Sequence, residues 1–369
     1  MRIFEVSGMI AHSTDTGFIR HLHAFRGFAI INITAIHAFT MAIYFLIPVD
    51  MALPSADQTL INFSVVAFHD ATLYFSLISG LLFAAVLKGR SWHDFFKGKL
   101  LNVICPYLVM TAIFSLIVWP QPMEGFQIVP FQGTAAEYLA LVGNNILTGK
   151  SLFPMYYIPI LMLLFVATPL LNAAAERPRG RWLVILLTLL PLVVSRTGLE
   201  VTVNSVIYFM GAYALGMLAG RDYQRWLGWV EAHLALLAGV AVISSVVLMG
   251  LLFGEIEFAG PVSLQESVFY IQKLAVAAIV LALLRRAEAH LPGWLNVTAS
   301  YSFAIYFLHG PVQFLMTLGL NQYVTRYPNA IETMLMGVIF VVIPIGASIA
   351  AAFVLRASLG KRSRMIIGT

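Results

Sequence analysis

Ten stretches of this chain stay apolar for close to the ~20 residues a helix needs to cross a bilayer. They cover 24–46, 60–87, 100–119, 153–175, 182–195, 201–219, 232–253, 264–284, 297–320 and 331–355. That pattern leaves one architecture: an all-α, polytopic membrane helix bundle of about ten transmembrane helices. Composition agrees. Of 369 residues, 60% are hydrophobic and only 11% charged, against roughly 25% charged in a soluble domain. A soluble enzyme with a single anchor is excluded. The fifth stretch is short and holds Pro191, which predicts a kink or a tilt. The longest connection, 120–152, contains the amphipathic segment "AAEYLALVGNNIL", expected to lie in the interface. No internal repeat stands out. Residues 1–20 lack the apolar core of a signal sequence and read as a short cytoplasmic tail. The transmembrane domain is expected over 21–356, with a basic cytoplasmic tail over 357–369. The single cysteine, Cys105, excludes an internal disulfide framework.

An even number of crossings puts both termini on one side, and the charges say which. All but four of the 22 lysines and arginines fall at one set of helix ends; the exceptions are Lys150, Arg196, Arg326 and Lys273. Such an excess marks the cytoplasmic face. Asp50, Asp57, Glu124, Glu137, Glu255 and Glu257 fall on the opposite loops. Most of these cations set topology or meet lipid headgroups. A few are candidates to bind an anion arriving from the cytoplasm.

The first apolar stretch carries an anomaly. "HAFRGFAIINITAIHAF" (23–39) holds Arg26 and His37 inside a membrane-grade segment, with His23 and Asn32 beside them. Ionisable groups there are expensive and tend to be functional. Eleven residues bring a helix about 20° past three full turns, so Arg26 and His37 share a face, about 16 Å apart along the axis. A guanidinium keeps its charge and forks onto phosphate or carboxylate. An imidazole changes charge near neutral pH. One face thus offers an anion clamp at the mouth and a base in the interior. A snorkelling arginine and a packed histidine would give the same two letters.

The spacing on "FRGFAIINITAIH" resembles the signature of the acyltransferase-3 family of integral membrane acyltransferases. "YFSLISGLLFA" (74–84), "FFKGKLLNVICPYLV" (95–109) and "SYSFAIYFLHGPV" (300–312) are similar to further segments of that family. The resemblance runs from about residue 22 to 355. It implies transfer of an acyl group, acetyl or succinyl foremost, from cytoplasmic acyl-coenzyme A to a hydroxyl of a glycan or lipid-linked sugar. It also implies a bacterial inner-membrane location. By the same resemblance, His37 is the catalytic base and Arg26 is essential at the donor site, with Arg90, Lys97 and Lys99 as further donor-site cations. Two departures stand out. The family's paired arginines before the third span correspond here to Lys99 and Asn102, and "HDAT" stands where the family carries a glycine.

His69, Asp70, Tyr306 and His309 are supporting candidates, open between a site role and helix packing. Lys273, deep in the eighth stretch, is expected to pair with Glu266, seven residues back on nearly the same face. Acyl-coenzyme A enters as substrate. No tightly bound cofactor, metal or nucleic-acid partner is expected. A polytopic exporter of a polysaccharide or its precursor is the rival reading, for which an internal repeat and paired broken helices would speak.

Overall fold

The computed structural model describes residues 19–45, 55–119, 129–196, 198–321, 323 and 329–368. Most of the N-terminal tail, Asp50, Glu124 and Arg326 lie outside them. Among the described residues, nine helices are long and apolar enough to cross a membrane. They are Arg20–Ile43, Gln58–Leu87, Trp92–Phe114, Phe153–Glu176, Val203–Arg221, Leu234–Phe253, Leu264–Arg286, Ser302–Leu320 and Ala330–Ile367. These are called the first to ninth spans below.

The expected fifth stretch, 182–195, is shorter than a full span. It forms a helix over Pro178–Leu189 and a tight turn over Leu190–Leu192. Pro178 starts the helix where its missing N–H is not needed, and Pro191 ends it. Twelve α-helical residues rise about 18 Å, well under a bilayer core. The piece nevertheless runs back along the fourth span. At one end Arg181 donates to the Ala175 carbonyl (3.1 Å); at the other Arg196 donates to the Tyr156 hydroxyl (2.9 Å). The chain therefore passes the height of the bundle ten times, and Arg26 and Gly368 line one cavity at the same end.

The first span occupies the centre. Leu22, Phe25, Ala29 and Ile30 are fully buried, and the helix packs on the second, eighth and ninth spans and on the short helix Gly293–Ser300. The sixth and ninth spans expose most of their apolar side chains and form the lipid-facing edge. The amphipathic segment is a helix over Ala135–Thr148, opened by a Thr134–Glu137 capping box. It is held by Tyr107, whose hydroxyl donates to the Ile146 carbonyl (2.9 Å).

The second span breaks at His69–Ala71, where Asp70 takes a left-handed conformation (φ 57°). The break leaves the Val66 and Ala67 carbonyls without helical donors. Lys273 fills that need, donating to both at 3.0 and 2.9 Å, and Gln272 also donates to Val66 (3.1 Å). The expected Lys273–Glu266 pair is therefore not formed. Helical phase allowed it, but unsatisfied carbonyls inside the bundle are stronger claimants on an ammonium.

Beyond the break the second span presses on the fifth without intervening side chains. A Cβ on Gly80 would strike the Tyr213 carbonyl, and one on Gly216 the Leu77 carbonyl. Small residues at a crossing let membrane helices approach backbone to backbone. Gly216→Val should therefore destabilise the bundle by roughly 1–3 kcal/mol or more, read as a lower melting temperature in detergent. An unchanged melting curve would mean that the crossing can open without cost.

Candidate active site

At the end of the bundle that holds Arg26, a cavity of about 770 Å³ opens between the first, second, third, fourth, eighth and ninth spans. Six cations line it: Arg26, Arg90, Lys99, Arg356, Lys361 and Arg364. Among the described residues Asp94 is the one lining acid, and its carboxylate accepts from the Ser91 hydroxyl (2.7 Å). The π-helical turns Phe83–Leu87 and Leu100–Ile104 border the cavity. Each adds a residue to a helical turn and so re-aims the side chains beyond it.

Arg26 and Lys99 are half-buried and form the inner pair. One Arg26 nitrogen donates to the Ser302 hydroxyl (2.9 Å), and the guanidinium lies over the Phe303 ring. The Lys99 ammonium lies 4.2 Å from the Phe165 ring centroid and 5.3 Å from that of Phe95. Among the described residues no acid pairs with either. Lys97 does not join them. It is exposed and absent from the lining, because Phe95 and Lys99 already take the inward face and Lys97 stands about 200° of helix away from each. Asn102 lines the cavity, yet its amide donates to the Gly98 carbonyl of its own helix (2.7 Å). Arg90 stands exposed at the rim as expected. Arg356, Lys361 and Arg364 read in the sequence as topology markers; only their number hints at a place in the cavity.

The cavity reaches Tyr306 and Tyr157. The Tyr306 hydroxyl donates to the Pro154 carbonyl, so it tethers the eighth span to the start of the fourth rather than standing free. Behind it is His309, fully buried, its ring 6.3 Å from that of Tyr306. His309 Nδ1 lies 2.7 Å from the Ile305 carbonyl. A carbonyl only accepts, so Nδ1 carries a proton, and in the neutral ring Nε2 keeps the lone pair. That Nε2 is buried with no hydrogen-bond partner among the described residues. The His37 ring stacks on His309 at 5.2 Å and meets the Phe153 ring edge-on at 4.3 Å. The structure thus sets Arg26 and Lys99 in the cavity and Tyr306 in its wall, and it stacks His37 on His309 behind Tyr306, outside the lining. Cys105 does not line the cavity.

His69 and Asp70 belong to a different centre at the other end. There one nitrogen of Arg196, Nη2, lies 2.6 Å from Asp70, 3.3 Å from Glu266 and 3.3 Å from His69. Tyr208 donates to the second Asp70 oxygen (2.7 Å). His69, Asp70 and Glu266 offer ligand atoms within 4.8 Å of one another, but the cation that they surround is the guanidinium. This cluster joins the second, fourth, fifth and seventh spans to the chain that follows the Pro178–Leu189 helix and its turn.

Set beside known families, residues 19–356 match the acyltransferase-3 model, described as an acyltransferase domain. The chain belongs to the acyltransferase-3 family. It is a multi-pass membrane acyltransferase, transferring groups other than aminoacyl groups. Neither curated proteins nor solved structures gave a match. The family match supports the enzyme reading over the exporter, and the two polar centres of this acyltransferase lie at opposite ends of the bundle.

Removing one partner of a buried ion cluster leaves uncompensated charge and costs roughly 3–5 kcal/mol. Arg196→Ala should accordingly lose thermal stability and yield of monodisperse protein. Wild-type stability in that variant would contradict a structural role for the Arg196 cluster.

Proposed function

We propose that this protein moves an acyl group, acetyl or succinyl, from acyl-coenzyme A to a hydroxyl of a glycan or lipid-linked sugar. The observation that carries the reading is the pair of half-buried cations, Arg26 and Lys99, with no acid beside them among the described residues. Charge in such a place calls for an anionic ligand, and a phosphorylated carrier supplies it. The excess of basic residues at the same end supports a cavity that faces the cytoplasm, where acyl thioesters are made, in a membrane that we take to be a bacterial inner membrane.

The chemistry then falls to the imidazoles. The acceptor oxygen attacks the thioester carbonyl as a histidine removes its proton; the C–O bond forms and the C–S bond breaks. The proton passes to the leaving thiolate, giving ester and free thiol. General-base help of this kind contributes typically 10²–10⁴-fold. We assign the base to His37. His309 stacks on it and, through Nδ1–H, is held by the Ile305 carbonyl in one tautomer. Direct transfer is favoured over an acyl-protein intermediate, since the one thiol, Cys105, stands outside the cavity lining.

His37→Ala should abolish thiol release from acetyl-coenzyme A while leaving donor binding intact. Retained turnover would remove His37 from the base role. Arg26→Ala should weaken donor binding by about one to two decades, the worth of one charge-assisted hydrogen bond, with Arg26→Lys in between. Wild-type affinity by calorimetry in Arg26→Ala would refute the clamp. We further propose that the acyl group crosses the bilayer through the protein, so sealed vesicles with labelled donor on the basic face and an impermeant acceptor on the other should form product. Product formed only when both share one face would rule out transfer across the bilayer.

A further inference from the structure

The ninth span does not end in a free tail. Its helix closes at Leu359, and Gly360, at positive φ (54°), turns the chain back under the bundle. A tight turn over Gly360–Ser363 leads into a short helix over Arg364–Ile367. Ser363 is buried and its hydroxyl donates to the Gly360 carbonyl (2.8 Å). Ile367 is fully buried in the main core. Gly368 packs against Phe303 and the Asn102 carbonyl, both beside the cavity. Anchored at these points, the segment turns Lys361 and Arg364 to the cavity and leaves Arg362 off its lining. All of it lies past the family match, which stops at residue 356.

From this seating we infer that the segment 360–368 is the outer wall of the donor cavity. Lys361 and Arg364, with Arg356 above them, hold the phosphorylated nucleotide end of the carrier, while Arg26 and Lys99 hold the part that enters deeper. The inference rests on the donor reading given above. Three features point to a ligand rather than to topology alone. The cations face a cavity instead of the lipid edge. The segment is fixed by a buried isoleucine and serine. The inner cations on the same cavity lack acidic partners among the described residues. Anionic lipid headgroups offer the same phosphate chemistry, so the test separates the two sources.

The test uses the purified full-length protein in detergent and calorimetric titration with coenzyme A and with pantetheine, which lacks the nucleotide. The variant is the double substitution Lys361→Gln with Arg364→Gln, both side chains being exposed. Its control is Arg362→Gln, which removes a neighbouring charge that does not line the cavity. The double variant should bind coenzyme A at least tenfold more weakly, with a shallower salt dependence, and bind pantetheine as the wild type does. The control should match the wild type. Ile367→Asp, which unseats the segment, should repeat the loss.

Coenzyme A affinity within twofold of wild type in the double variant, with Arg26→Ala still losing it, would overturn the wall but keep the donor site. Equal losses from the control and the double variant would reduce the effect to general surface charge, also against the wall. A loss confined to association with anionic-lipid vesicles would assign the segment to headgroups instead. Absence of coenzyme A binding in the wild type would overturn the donor reading and the wall together.

Discussion

A guanidinium cannot shed its charge, and a helix bundle in lipid tolerates one only where something compensates it. Arg196 and Arg26 meet that constraint in opposite ways. Arg196 is surrounded by Asp70, Glu266, His69 and the Tyr156 hydroxyl. Its charge is spent on joining helices. Arg26 has a serine hydroxyl and an aromatic face, which solvate it without neutralising it. A bundle that can build the first arrangement has left the second incomplete at its other end. The difference separates a self-neutralised centre from one without a counter-charge among the described residues more clearly than burial or residue type does.

The break in the second span is what lets both ends exist. In an unbroken helix Asp70 would point along the regular spiral, and the Val66 and Ala67 carbonyls would be satisfied internally. The left-handed turn at Asp70 frees those carbonyls for Gln272 and Lys273 and gives Arg196 its carboxylate. The seventh span is thereby fastened to the second by side chains at two levels, with Glu266 above and Lys273 below. Past the break, the glycine crossing with the fifth span fixes the stretch from Phe75 to Leu87, which forms one side of the cavity. The wall of the cavity and the polar knot around Asp70 thus lie on one and the same span.

Much of this is readable as periodicity. The apolar runs locate the spans, and helical phase places Arg26 and His37 on one face of Arg20–Thr40. The failures have physical reasons. Proximity groups Lys97 with Lys99, but two residues along a helix is the far side. The Glu266–Lys273 pairing uses phase within one helix and takes no account of another helix that breaks and offers bare carbonyls. Arg196 finds Asp70 across 126 positions of sequence, a contact no local pattern encodes. Arg356, Lys361 and Arg364 look, in the sequence, like any positive-inside cluster; only the turn at Gly360 and the burial of Ile367 give them a direction. The stacking of His37 on His309 is likewise invisible in the sequence, though each histidine stands out there on its own.

The departure at Lys99 and Asn102 acquires a meaning from the same geometry. Asn102 spends its amide on Gly98, so the third span presents the cavity with one ammonium where the family pattern suggests two forks. An ammonium recognises phosphate by charge rather than by shape. A cavity relying on charge gains from number and loses to salt. The cations are graded accordingly: four exposed ones at Arg90, Arg356, Lys361 and Arg364, two half-buried ones at Arg26 and Lys99. On the donor reading the outer set meets the nucleotide phosphates at the mouth, where exposed charges also raise the local concentration of anions and are readily screened by salt. The inner pair, half-buried, would act at contact and be less screened by salt, and Arg26 alone of that pair can form a fork. On the donor reading attraction would fall to the rim and discrimination to the first span, on the helix that carries His37 three turns further in.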